Sequence, residues 1–269
     1  MSAVVRNNVQ VVGPVTGPTL VLAHGFGCSQ GMWRHVTADL ARDHRVVLFD
    51  HVGAGDSDPR AYDPTRHATL AGYAEDVVAI LRELGVGGVT YVGHSVGAMI
   101  GVLASRLAPE WITDLVLVGP SPRYLDDPAT GYVGGFDEAD MTELLGLLDR
   151  NHAGWASAMA PTIMGNADRP ELAEEWSDSV CRTDPVLARR FARATFLGDN
   201  RADLPQVTAR TLVLQSARDA IAPPVVGRYV ADAIPGAVLR ELDVSGHCPN
   251  LSAPQVTAQA IRDFAALPV

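Results

Sequence analysis

Gly93-His94-Ser95-Val96-Gly97 follows the apolar run Val89-Thr90-Tyr91-Val92 and precedes the helix-like stretch 98–107. G-x-S-x-G between a strand and a helix is a turn that holds a serine at its apex in a strained backbone conformation, with Oγ exposed. Glycines at 93 and 97 suit the crowding on either side of such a turn. The helix that opens beside Ser95 leaves backbone N–H groups free to stabilise negative charge. An ordinary glycine-flanked strand-to-helix turn would carry the same five residues, so the reading depends on what surrounds them.

On either side of this turn, short apolar runs alternate with helical spacing. Strands are expected at 4–12, 19–23, 45–50, 89–92 and 115–118, and helices at 31–42 and 70–84. The 70–84 helix shows Leu70, Tyr73, Val77, Ile80, Leu81 and Leu84 on one face and stops at Gly85. From 121 to 200 the alternation breaks. Four helical patterns follow one another at 137–150, 152–164, 170–182 and 185–197, separated by turn signals such as Gly165-Asn166 and Asp184-Pro185. Strand–helix alternation then resumes, with strands at 210–215 and 238–242 and helices at 225–233 and 254–265. Repeated strand–helix units predict an α/β, mostly parallel, doubly wound sheet covered on both faces. Segments 1–120 and 201–269 would form this core, and 121–200 a helical lid inserted over its edge.

The 269 residues suffice for one large α/β domain, and 47% hydrophobic content supplies a sizeable core. A formal net charge of −10 argues against nucleic acid or an anionic membrane surface as partner. The chain has no apolar run long enough for a transmembrane helix. Residues 1–8 do not read as a secretory signal. Three cysteines (Cys28, Cys181 and Cys248) without C-x-x-C spacing suggest reduced thiols and a cytoplasmic protein. Neither a phosphate-binding G-x-x-x-x-G-K-[ST] nor an H-E-x-x-H or Cys/His cluster occurs, so no nucleotide, metal or other cofactor is expected. Asp50-His51-Val52-Gly53-Ala54-Gly55-Asp56-Ser57 lacks the third glycine of a dinucleotide loop and reads as a structural turn beside the site.

Acyl transfer by a serine needs a base and a carboxylate to orient it. On α/β-hydrolases these follow the serine in the order acid, then histidine, each after a late strand. Asp219 follows the 210–215 strand, and His247, in Ser245-Gly246-His247-Cys248-Pro249, follows the last one. Asp219 also reads as a turn or cap aspartate ahead of Pro223-Pro224. His35, His44, His67 and His152 read as surface residues, and His94 is expected to point away from the nucleophile's side. Cys248 beside His247 suggests a thiol nucleophile, but Ser95 has the better backbone context. Two N–H donors are needed for the oxyanion: Val96, after the nucleophile, and Phe26, in the loop His24-Gly25-Phe26-Gly27 after the 19–23 strand. His24 is expected to support that loop by hydrogen bonding.

Together, His24 to Gly27, Asp50 to Ser57, Gly93 to Met99 and Gly246 to Pro249 resemble the RsbQ-like α/β-hydrolases of bacterial stress responses. These are similar to the karrikin- and strigolactone-receptor hydrolases of plants. Tyr132 to Phe136, Gly154-Trp155-Ala156 and Cys181 to Pro185 look like that family's lid. The resemblance implies four lid helices over a largely apolar pocket, a triad of Ser95, Asp219 and His247, and oxyanion donors at Phe26 and Val96. It also implies pocket residues Phe136, Trp155 and Phe196, a small hydrophobic ester or lactone as substrate, and a partner phosphatase carrying a PAS domain that activates a stress sigma factor. Arg218 stands where a second acidic residue is common in the family, and Asn250 where a histidine is. The lid aromatics Phe136, Trp155, Phe191 and Phe196 are expected to divide, some locking lid helices onto one another and one or two facing Ser95, while Glu171, Glu174 and Glu175 read as a solvated face. Two other readings remain open from the residues: a ligand-responsive receptor with slow turnover, and serine-dependent C–C hydrolysis or peroxidation. An aspartate-dependent dehalogenase is disfavoured by the serine at 95.

Overall fold

The computed structural model describes residues 1–267. In chain order its principal elements begin with α1 (Ala3–Arg6), β1 (Gln10–Val12), β2 (Thr19–Ala23), α2 (Arg34–Leu40), β3 (Arg45–Phe49), α3 (Leu70–Leu84), β4 (Val89–His94), α4 (Val96–Leu107) and β5 (Ile112–Val118). They continue with α5 (Glu138–Arg150), α6 (His152–Met164), α7 (Pro170–Arg182), α8 (Pro185–Phe196), β6 (Arg210–Arg218), α9 (Pro224–Ala233), β7 (Val238–Ser245), α10 (Pro249–Ser252) and α11 (Pro254–Ala265).

The seven strands form one sheet in the order β1-β3-β2-β4-β5-β6-β7. Only the edge strand β1 runs antiparallel, against β3. The other pairs are parallel. All six residues of β4 are buried, as are six of the seven in β5, which is why both strands read as continuous rather than alternating apolar runs. Because the parallel strands share one direction, the loops that follow β2, β4, β6 and β7 all emerge at the same edge. In open parallel sheets that carboxyl edge is where ligands bind.

Helix α3 buries Leu70, Tyr73, Val77, Ile80 and Leu81 and ends at Gly85, whose φ of 62° is the left-handed cap a glycine adopts without strain. Between β5 and β6 the chain leaves the sheet for α5 to α8. Their starts are encoded locally. Asp137 and Asp140 form a capping box on α5, the Asn151 side chain caps α6, and Asp184 accepts from the Val186 and Leu187 amides at the start of α8.

The N-terminus differs from the expected 4–12 strand. Residues 3–6 are helical, and only Gln10–Val12 pairs with the sheet. The Ser2 hydroxyl accepts from the Val5 amide, and Glu83 on α3 accepts from the Ala3 amide at 2.6 Å. A carboxylate on the first amides of a helix is favourable, and here it outweighs the strand preference of the valines. Arg6 then reaches buried Asp76, which also holds Arg66 and His67. His67 is therefore buried rather than on the surface, and so is His44, whose Nδ1 lies 2.8 Å from Asp43 Oδ1.

Candidate active site

Ser95 sits between β4 and α4 with φ 56° and ψ −121°. Ser95 and Asn8 are the two non-glycine residues with positive φ among the described residues. Such a conformation persists only when its surroundings enforce it. A Cβ on Gly93 would lie 2.4 Å from the Gly97 carbonyl oxygen, and one on Gly97 2.7 Å from that of His24. The turn closes because both positions lack a side chain.

Ser95 Oγ is 2.8 Å from His247 Nε2, and His247 Nδ1 is 2.7 Å from Asp219 Oδ2. All three residues are buried. The structure thus brings together residues separated by 124 and 28 positions. Asp219 Oδ1 accepts from the amides of Ile221 and Ala222 at 2.8 and 3.0 Å. The aspartate is at once the turn cap and the partner of the imidazole, so the two readings of it coincide. Burial acts to raise its pKa, but the charge and hydrogen bond of His247 and the two amides outweigh burial and hold it below the usual carboxylate range. An ionised acceptor there places the His247 proton on Nδ1 and leaves Nε2 to accept from the Ser95 hydroxyl.

The amides of Phe26, after β2, and Val96, the first residue of α4, donate to no acceptor among the described residues. The loop carrying Phe26 is braced by two buried imidazoles. His24 Nδ1 lies 2.8 Å from the Gly25 carbonyl, and His51 Nε2 lies 3.1 Å from the His24 carbonyl. His24 Nε2 in turn accepts from the His51 amide at 3.0 Å. Burial lowers the pKa of both rings, which keeps them neutral and the bonds intact.

A narrow, largely apolar cavity lies over Ser95. Phe136, Trp155 and Phe196 line it, with Phe26 below and Trp176 beside. Phe191 does not line it. Its ring, on α8, packs on Phe26, His51 and Tyr73. The Glu175 carboxylate, rather than facing only solvent, takes two hydrogen bonds from Arg34 of the core. The Cys248 thiol also faces the cavity, but burial pushes its pKa well above the usual thiol value, which disfavours the thiolate a nucleophile needs.

Two site residues were not foreseen. Tyr124 Oη lies 3.2 Å from Ser95 Oγ. Tyr124 falls in the irregular segment after β5, where no periodicity marks it. His94, expected to face away, lines the cavity and binds the His247 main chain. The reason is the elbow itself: the positive φ at Ser95 breaks the strict alternation that a continued strand would impose.

A serine after β4, a carboxylate after β6 and an imidazole after β7, all on carboxyl-edge loops of a parallel sheet, define an α/β-hydrolase. The chain belongs to that family: the α/β-hydrolase family model matches residues 20–260. It is 40% identical over 251 residues to the karrikin insensitive 2 receptor CA of Petunia hybrida, covering 93% of this chain and 92% of the receptor. It is 38% identical over 257 residues to strigolactone esterase D14 of Arabidopsis thaliana, covering 95% and 94%. The solved structure of a hydrolase from Oleispira antarctica superposes with a TM-score of 0.95 at 39% identity, covering 99% of this chain and 97% of that one.

Proposed function

We propose that the protein hydrolyses a small hydrophobic ester or lactone through an acyl-enzyme on Ser95. The observation that carries this is the unbroken chain Ser95–His247–Asp219, with links of 2.8 and 2.7 Å, beneath an apolar roof. His247 Nε2 takes the serine proton as Oγ attacks the carbonyl, and Asp219 stabilises the imidazolium that forms. The Phe26 and Val96 amides receive the oxyanion, each worth about 3 kcal/mol of barrier. His247 then protonates the leaving oxygen, and water activated by the same ring releases the acid. Phe136, Trp155 and Phe196 shape the substrate pocket. The test is turnover of short-chain esters and small lactones by wild type and by Ser95→Ala. Loss of all turnover in the variant supports the reading, and unchanged turnover defeats it.

The cavity favours a second reading of the same site. Trp155 in its roof packs on Phe26 and on Trp176, and Phe196 packs on Phe26 and Tyr124, so a ligand that moves these rings couples occupancy of the pocket to the shape of the lid. Relatives at 35–40% identity carry receptor names. This supports a signalling role in which turnover is slow, in the manner of the RsbQ-like hydrolases, with a cytoplasmic PAS-domain phosphatase as partner. Pull-down of such a phosphatase with and without ligand, on wild type and Ser95→Ala, tests it. Binding indifferent to both ligand and Ser95 would sink this role without touching the hydrolase.

A further inference from the structure

His94 is 2% exposed and stands immediately before the nucleophile. Its Nε2 lies 2.8 Å from the carbonyl oxygen of His247. A carbonyl only accepts, so the ring proton is on Nε2. The other nitrogen, Nδ1, is buried without a partner and lies against Gly25: a Cβ there would be 2.5 Å from Nδ1 and 3.0 Å from Cε1. One ring therefore touches the oxyanion loop at Gly25, belongs to the nucleophile turn, and holds the main chain of His247. The His247 amide is bound at 2.7 Å by the Ile163 carbonyl of the lid. His94 thus supplies the core side of a clamp on the residue whose side chain meets Ser95. Its centroid is 4.9 Å from the His247 ring.

We propose that His94 is a positioning residue that sets the spacing between the oxyanion loop, Ser95 and His247, and that its Nε2–H bond to the His247 carbonyl orients the general base. This rests on the Ser95–His247 reading above. Burial, and behind it the neighbouring His247, hold the His94 pKa down at about 3, so the ring stays neutral across the working pH range with its one proton on Nε2.

The test compares His94→Phe, which fills the space without a donor, with His94→Gln, whose amide nitrogen reaches the Nε2 position. Each is measured well below its melting temperature, on protein whose folded fraction is known. Displacing reacting groups by about 1 Å costs about 100-fold in rate. His94→Phe should lose about that much kcat while KM moves less than about threefold, and His94→Gln should recover at least about a tenth of the wild-type kcat. Should the Phe variant not fold, His94→Asn, whose shorter amide cannot reach the carbonyl, takes its place. A double-mutant cycle supplies an independent measure. Gly25→Ala should cost about 100-fold when the ring is present and less than about fivefold in a His94→Ala background. Wild-type kcat in His94→Phe with only the melting temperature lowered, or an additive cycle, would overturn the proposal. Ser95→Ala separates the two levels. If it is inactive while His94→Phe is fully active, only the positioning role fails; if it still turns over, the serine reading falls and this proposal with it.

Discussion

Tyr124 donates its hydroxyl hydrogen to Ser95 Oγ across 3.2 Å, because the serine's own hydrogen is directed at His247 Nε2. Burial raises the Tyr124 pKa far above neutrality, so the group remains a donor throughout the working range. Once Oγ is bonded to the tetrahedral carbon it is a weaker acceptor, and the tyrosine hydroxyl is free to hydrogen-bond the oxygen departing from that carbon, which His247 protonates. Tyr124→Phe should lower kcat/KM for an alkyl acetate by up to about tenfold, the worth of one such hydrogen bond. p-Nitrophenyl acetate, whose leaving group needs no proton, should stay within about twofold of wild type. Equal losses on both esters would exclude a role at the leaving group.

Acid should destabilise the fold through its buried imidazoles. The His94 pKa falls from its usual 6.5 to about 3, and those of His24 and His51 are also lowered. Between pH 6.5 and 3 the unfolded chain binds protons at these sites that the folded one does not, so stability rises with pH across that window and is lost on acidification. Asp219, with its pKa depressed, adds a further loss as pH falls through its folded value. Urea midpoints at pH 7, 5 and 4 should fall in that order, and His94→Gln should show a slope shallower by up to about one proton. Identical slopes would contradict the burial argument.

The nucleophile turn should not tolerate a methyl group. Gly93→Ala would put a Cβ against backbone at residue 97, which has nowhere to move. A loss of about 3 kcal/mol or more is expected, read as a lowered urea midpoint or insoluble protein. Gly236→Ala, at a turn where a Cβ meets nothing within 4 Å but φ is 71°, should cost about 1 kcal/mol. A Gly93→Ala variant as stable as Gly236→Ala would refute the packing described for the elbow.

The Arg34–Glu175 pair ties α2 to α7, yet both side chains are more than a third exposed. Solvent screening limits such a pair to about 1 kcal/mol or less. Glu175→Gln should shift the melting temperature by no more than about 4 °C. A larger drop would show that the lid is held by this contact rather than by its aromatic packing on Phe26.

Much of this was legible in the residues. The four helices between β5 and β6 were readable because Asp137, Asn151 and Asp184 cap three of them and Pro170 and Pro185 open two, all local signals. Ser95, Asp219 and His247 were readable because each follows a strand at a turn, in a fixed order. The first helix was hidden because its cause, Glu83, lies 80 positions from Ala3. The buried state of His67 depends likewise on Asp76 and Tyr62, which the fold, not the local pattern, brings to it. Tyr124 was hidden for the same reason: an irregular segment places it by tertiary contacts with Phe136 and Phe196.

In the proposed mechanism Ser95, activated by His247, is the nucleophile. Intact-protein mass spectrometry after exposure to a fluorophosphonate addresses it most directly. One adduct per wild-type chain, mapped to the peptide holding Ser95, absent from Ser95→Ala and slowed at least about 1,000-fold in His247→Ala, is the expected result. Stoichiometric labelling of Ser95→Ala, or labelling of Ser95 at an undiminished rate without the imidazole, would contradict it.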